Sequence, residues 1–266
     1  MENNSGYVSD AFSKQSLVFD KLNAENKLSE YLRAIYREEV LQQLKPGGHI
    51  LELNCGTGLD AVYFAEQGYT ILATDNAPGM LGQLDNKISN KGLQKQVETM
   101  RCSFHDIDSI KNKKFDHIIS NFGGLNCTDD LQDVLQKFSA LLNDNGKATL
   151  MIMPKICPWE LIMLFKGKFK TAFRRFKKST PAHIEGVHFA CYYYNPGYVI
   201  NALKKKFDVV TLKGVCITVP PEFYQGFVER YPKLFSFLSR LDKRIGSTFP
   251  FTYCCDHYMI TLQKKR

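Results

Sequence analysis

The stretch from His49 to Asp75 limits the folds open to this chain more than any other. It begins with the apolar run HILEL, breaks at NCGTG, continues from Leu59 to Gln67 with apolar residues at helical steps, and returns to an apolar run in TILATD. Strand, glycine turn, helix and strand in that order make a βαβ unit, whose two strands lie parallel in one sheet. Glycine in such a turn gives the backbone access to positive φ and removes the Cβ that would obstruct a ligand.

The alternation then repeats. Pro78 to Asn90 reads as a helix opened by proline, VETMRCSF (97–104) and FDHIISNF (115–122) as strands, Leu131 to Leu142 as a helix and KATLMIM (147–153) as a strand. After an interruption over 155–195 come a helix over 196–205 and the strand FDVVTL (207–212). A second interruption over 219–250, helical through Phe227, Tyr231, Leu234, Leu238 and Leu241, precedes a last strand, CDHYMITLQ (255–263). Ahead of the first strand, residues 10–44 read as helix through Leu28, Tyr31, Leu32, Ile35, Tyr36, Val40 and Leu44, ending at Pro46-Gly47-Gly48. The expectation is a doubly wound α/β fold in a single domain over 1–266. Residues 1–46 would form an N-terminal helical cap, and the insertions 155–195 and 219–250 would cover the substrate side.

The start, MENNSGYVSD, is polar and acidic where a signal peptide is basic and then apolar. The longest apolar runs, TLMIM and ELIMLF, fall far short of the roughly 20 residues that span a bilayer. The eight cysteines contain no CxxC pair and have no histidine at zinc-ligand spacing, so free thiols, no metal site and a cytoplasmic location are expected. The net charge of +8 owes most to KGKFKTAFRRFKK (166–178), with seven basic residues and no acid. Phe165, Phe169, Phe173 and Phe176 follow at steps of four, four and three, the period of an amphipathic basic helix. Three roles are open for it: a lid with its phenylalanines on the core, a peripheral membrane contact through 165–178, or a nucleic-acid contact. The last has no recognised binding motif behind it and is not expected.

In an open parallel sheet, ligands bind beyond the C-terminal ends of the strands. Asp75, ending the second strand, is placed to accept from two ribose hydroxyls, and Asp106, in the turn after the third, from an adenine amino group. A nucleoside is therefore the expected ligand, against a plain tight turn between strand and helix. GTGLDA (56–61) also fits a dinucleotide fingerprint. Against that, Glu52 would repel a pyrophosphate and attract an ammonium, and no Y-x-x-x-K pair is present.

LELNCGTG, LATDNAPGML, HDID and FDHIISNFGGLN resemble, in order, the motifs of class I S-adenosylmethionine-dependent methyltransferases, especially the small-molecule group, over about residues 28 to 153. DHYMITLQKK is similar to the antiparallel strand that closes that family's Rossmann-like seven-stranded sheet. The family's first motif is acid-x-G-x-G-x-G; here Asn54 stands at the first glycine, and asparagine tolerates the left-handed region best among the other residues. The resemblance implies S-adenosylmethionine as cofactor, with Glu52 near its methionine end, and Asn54, Gly56 and Gly58 under the nucleoside. It puts Asp75 with Asn76 at the ribose, Asp106 and Ile107 around the adenine, Asn121 at the methionine amine and Arg33 at the methionine carboxylate. The basic aromatic insertion, with CPWELIMLF just before it, points to a small hydrophobic or aromatic/lipid-like acceptor, and the expected transfer is to O, N or C. His183 and His188 are candidate general bases, and the D/N-P-P-Y tetrapeptide of amide-nitrogen methylation is missing. A nicotinamide oxidoreductase and a non-catalytic S-adenosylmethionine-binding protein are the competing readings.

Overall fold

The computed structural model describes residues 4–110 and 113–266. Two helices come first, α1 (Asn4–Ala24) and α2 (Lys27–Gln43), where the periodicity predicts one. The break has a local cause: the Asn26 side chain caps α2 by accepting from the amides of Leu28 and Ser29, which turns the chain. Then follow β1 (His49–Leu53), α3 (Leu59–Glu66), β2 (Thr70–Asp75), α4 (Pro78–Lys91), β3 (Val97–Arg101), β4 (Phe115–Ser120), α5 (Leu131–Leu141) and β5 (Leu142–Ile152). The single-turn helices α6 (Pro158–Leu161) and α7 (Phe169–Ala172) lead to a hairpin of β6 (Thr180–Ile184) and β7 (Val187–Cys191). The remainder comprises α8 (Pro196–Leu203), β8 (Phe207–Val215), α9 (Phe227–Arg230), α10 (Pro232–Ile245) and β9 (His257–Lys264).

Seven strands form the main sheet in the order β3-β2-β1-β4-β5-β9-β8. β9 inserts antiparallel between β5 and β8, and the neighbours from β3 to β5 pair in parallel. The order reverses between β1 and β4, the switch point at which such sheets bind ligands. Successive side chains of a strand point to opposite faces. Leu51 and Leu53 accordingly enter the core layer that also holds Phe115 and Phe138, while Ile50, on the other face, joins Leu32 and Tyr36. Glu52 is in register with Ile50 and points toward α2 and α3.

The basic insertion corrects the sequence reading. No continuous helix runs through 165–176; a 3-10 turn at 162–166, α7 and another turn at 174–176 take its place, with Gly167 in the left-handed region between the first two. Its phenylalanines do not pack on the core; all four are exposed. What faces inward is Ala172 and Arg175, the latter held by Glu160 and Asp256.

Helix α1 lies across α4 and against the β6–β7 hairpin, where Ala11 and Phe12 meet Val187 and Phe189. Gly79 permits the crossing: a Cβ there would stand 2.6 Å from the Ser13 carbonyl oxygen. We expect Gly79→Leu, a change of good helix propensity, to lift α1 from α4 while the sheet stays folded. Limited proteolysis would then cut within 4–24 about 10-fold faster, the factor of a ~1.4 kcal/mol loss of docking; an unchanged cleavage rate would contradict the contact.

Candidate active site

The C-terminal ends of β1, β2 and β4 open into a cavity of about 540 Å³. Its floor is the turn after β1. Asn54 takes a left-handed φ of 48°, and its side chain ties this turn to the one after β4, donating to the Asn121 carbonyl (3.0 Å) and accepting from Ser120 Oγ (2.6 Å). Gly124 makes room for it, since a Cβ there would stand 2.3 Å from Asn54 Cγ. Asp75 ties the same turn to the one after β2 with one carboxylate: Oδ2 accepts from the Gly56 amide and Oδ1 from the Ala77 amide, both at 2.8 Å. Burial pushes its carboxyl up from the ordinary value and the backbone donors pull it back.

The electrostatics centre on Asp60 in the first turn of α3. It is buried and accepts from Arg33 (2.5 Å), Arg37 (2.7 Å) and Asn121 Nδ2 (2.9 Å). The Arg33 guanidinium also donates to Asn23 and lies over the Phe122 ring, 4.4 Å from its centroid. Glu52, only 4% exposed, has no such partner: its Oε2 is sealed from solvent without a hydrogen bond among the described residues. Burial, then the nearby Asp60, push the Glu52 carboxyl well above the usual range, with Arg33 and Arg37 opposing. Two arginines, Arg33 and Arg37, thus stand against four acids of the cavity, Glu52, Asp60, Asp75 and Glu222, and the site is two units negative when all are ionised.

Helix α1 supplies one wall through Val8, Phe12, Gln15, Phe19 and Leu22. Asp20 pins it there by accepting from Thr57 Oγ1 and from Lys87, both at 2.5 Å, and Asn76 donates to Ser5. The steps of four, three, four and three were a legible signal, although the sequence reading begins its apolar series only at Leu28. Another wall carries Glu222, which that reading missed; its loop has no period that aims a side chain anywhere. Ser29 donates to its Oε2 (2.8 Å) and Asn26 to its carbonyl (2.9 Å).

Glu52, Asn54, Gly56, Asp75, Asn76, Asn121 and Arg33 all line the cavity. Gly58 lies behind the floor at the start of α3. Asp106 and Ile107 do not reach the cavity. Cys102, Ser103 and Phe104 stand there instead, because the chain after β3 coils into a 3-10 turn that sends Ile107 into the core and Asp106 to the surface, accepting from Ser103 Oγ (2.7 Å). His183 and His188 are also elsewhere: they face each other across the hairpin, ring centroids 4.5 Å apart, on its exposed side, while Val187 and Phe189 turn inward to α1. Of the two insertions, 155–195 reaches the cavity only through Ile184, and 219–250 through Glu222, Phe223 and Gln225.

One cluster has the composition of a metal site, Cys157, Glu160 and Asp256. Its carboxylates are already held by Arg174 and Arg175, whose charges repel a cation.

Residues 50–146 match the family model of a methyltransferase domain. An uncharacterised protein of Methanocaldococcus jannaschii is 28% identical over 244 residues, 88% of this chain and 90% of its own length. The ubiquinone/menaquinone biosynthesis C-methyltransferase of Xanthomonas oryzae is 30% identical over 113 residues, 41% of this chain and 44% of its own. Among solved structures, a candidate S-adenosylmethionine-dependent methyltransferase of Listeria monocytogenes superimposes with a TM-score of 0.60 at 17% identity, covering 88% of this chain and 99% of that one, a likeness of fold.

The raised folded-state value of Glu52 fixes a sign. Its contribution to stability is full below the unfolded carboxylate range and is lost as pH rises through the folded value. Glu52→Gln should therefore raise the melting temperature of the ligand-free protein at pH 8 by about 2–4 °C, the effect of ~1 kcal/mol in a domain of this size, and leave it unchanged near pH 4. Thermal unfolding against pH checks this; a lower melting temperature at pH 8 would mean that the ionised carboxylate is stabilising.

Proposed function

We propose that this chain, which matches a methyltransferase domain over residues 50–146, is a class I S-adenosylmethionine-dependent methyltransferase that methylates a small lipophilic acceptor bound between α1 and the loop of Glu222. The residues present fit the cofactor. The unpaired Glu52 oxygen and the site's surplus negative charge suit a molecule with ammonium and sulfonium charges, and Asp75 suits a vicinal diol. In this reading Glu52 faces the methionine amine, Asp75 with Asn76 the ribose, and Asn121 holds its turn against Asp60 and Asn54. Arg33, already engaged by Asp60 and Asn23, positions Asp60 and offers its remaining donors to the methionine carboxylate.

The cofactor supplies an electrophilic methyl group, so the protein has to align a nucleophile, exclude water and take a proton where the nucleophile carries one. The observation that carries the acceptor assignment is the wall of α1. Val8, Phe12, Phe19 and Leu22 make it apolar, which suits a lipophilic molecule and excludes water from the transfer path.

Glu222 is the proton acceptor in this proposal. Ser29 and Asn26 fix its side chain and main chain, and its Oε1 is left to accept from an O–H, N–H or acidified C–H. The likeness to a C-methyltransferase over 113 residues favours carbon among the three.

Incubation of cell extract with methyl-labelled S-adenosylmethionine and the protein tests the acceptor class. Label should pass into the organic phase as a small molecule; label confined to protein or nucleic acid would refute it. With that acceptor, Glu222→Gln should cut turnover by about 100-fold or more, the lower end of general-base effects. S-adenosylhomocysteine affinity should stay within about 2-fold, since Glu222 touches no part of the nucleoside site. Undiminished turnover would remove Glu222 from this role.

A further inference from the structure

Between Leu161 and Ile184 the sequence has seven basic residues and no acid. Arg174, half-buried, and Arg175, buried, are both paired with Glu160 at 2.7 Å, and Arg175 also with Asp256 at 2.6 Å. The other five, Lys166, Lys168, Lys170, Lys177 and Lys178, are exposed. Among them Phe165, Phe169, Phe173 and Phe176 are 92%, 63%, 49% and 52% exposed, and Ile162 is exposed beside them.

The segment is inside out. A cover for the core would turn its rings inward; here a small side chain and an arginine face in and the rings face water. Buried ion pairs are expensive to desolvate and are retained where they fix an arrangement. The one at Glu160 and Asp256 clamps the segment with its rings outward. Single exposed apolar residues need no explanation, but four phenylalanines so close in the chain mark an interaction surface.

The charge says with what. Five lysines without a neighbouring acid in the segment call for an anionic surface, and the rings call for an apolar layer immediately beneath it. A second copy of the chain would set lysines against lysines. A nucleic-acid duplex would leave the rings no apolar layer to enter. A lipid leaflet with anionic headgroups meets both demands. We infer that residues 162–178 dock this protein on an anionic bilayer surface, phenylalanine rings at the acyl boundary and lysines at the headgroups. No described helix is long and apolar enough to cross the membrane, so the attachment is peripheral.

Flotation with phosphatidylcholine vesicles, with and without phosphatidylglycerol, tests it. The full chain should bind the anionic vesicles about 10-fold more tightly than the neutral ones and lose that preference in high salt. The double change Phe165→Ser with Phe169→Ser should weaken binding about 10-fold, and so should the triple change Lys166→Glu, Lys168→Glu and Lys170→Glu. Since these side chains are exposed, both variants should keep the wild-type melting temperature and S-adenosylhomocysteine affinity, which separates this surface from the methyl-transfer site. No binding, equal binding to both vesicles, variants that bind like wild type, or preferential retention by a single-stranded oligonucleotide at the same salt would overturn the assignment.

Discussion

The arrangement of the site depends on one buried carboxylate, Asp60, shared by Arg33 and Arg37 of α2. Removing one partner of such a buried pair costs about 3–5 kcal/mol, because the other is left charged and unpaired in a low dielectric. This pairing docks α2 against α3 and, through Asn121, fixes the turn after β4. It also determines what is left over. With both arginines drawn to Asp60, Glu52 is buried without a hydrogen bond to its inner oxygen, and the acids around the cavity, Glu222 included, outnumber its cations. Natural cores avoid that condition unless a ligand resolves it.

Around this centre the chain makes three tight turns and ties them to one another by side chains. Asp75 holds the amides after β1 and β2, and Asn54 holds the turn after β4. The lid, α1, is fastened to the same turns through Asp20, Thr57 and Lys87 and through Asn76 and Ser5. Floor and lid thus share fastenings, so a shift of α1 is felt where the nucleoside would lie. The Glu222 loop is held separately, by the cap residue of α2 and by Ser29, which gives the acceptor side a support of its own.

The sheet and the glycine turn were legible because they rest on period and on turn chemistry, both local. HILEL and TILATD reappear residue for residue as β1 and β2, and FDHIISNF as β4 without its last two residues. The helix over 10–44 failed at Asn26, where a side-chain cap interrupts a sequence whose apolar period hardly changes. The basic insertion failed for a different reason: ring spacing reports a helix only if the rings have a core to meet, and here buried arginine pairs take the inner side. Asp106 was drawn to the cavity by its place after β3, yet a 3-10 turn moves the contact back to Cys102, Ser103 and Phe104. His183 and His188 were named for their chemistry alone, and the alternation of a two-stranded hairpin put both on its outer side. Glu222 was beyond reach, since a loop residue acquires its place only from the elements that meet around it.

The central claim is that Glu52 is a carboxyl kept from ionising by burial until a cation arrives. Calorimetric titration of S-adenosylmethionine in buffers of different ionisation enthalpy, at pH 6, measures it most directly. The account predicts release of up to about one proton per site on binding, with the release abolished by Glu52→Gln. Binding without proton release in the wild-type protein, or release that persists in the variant, would contradict it.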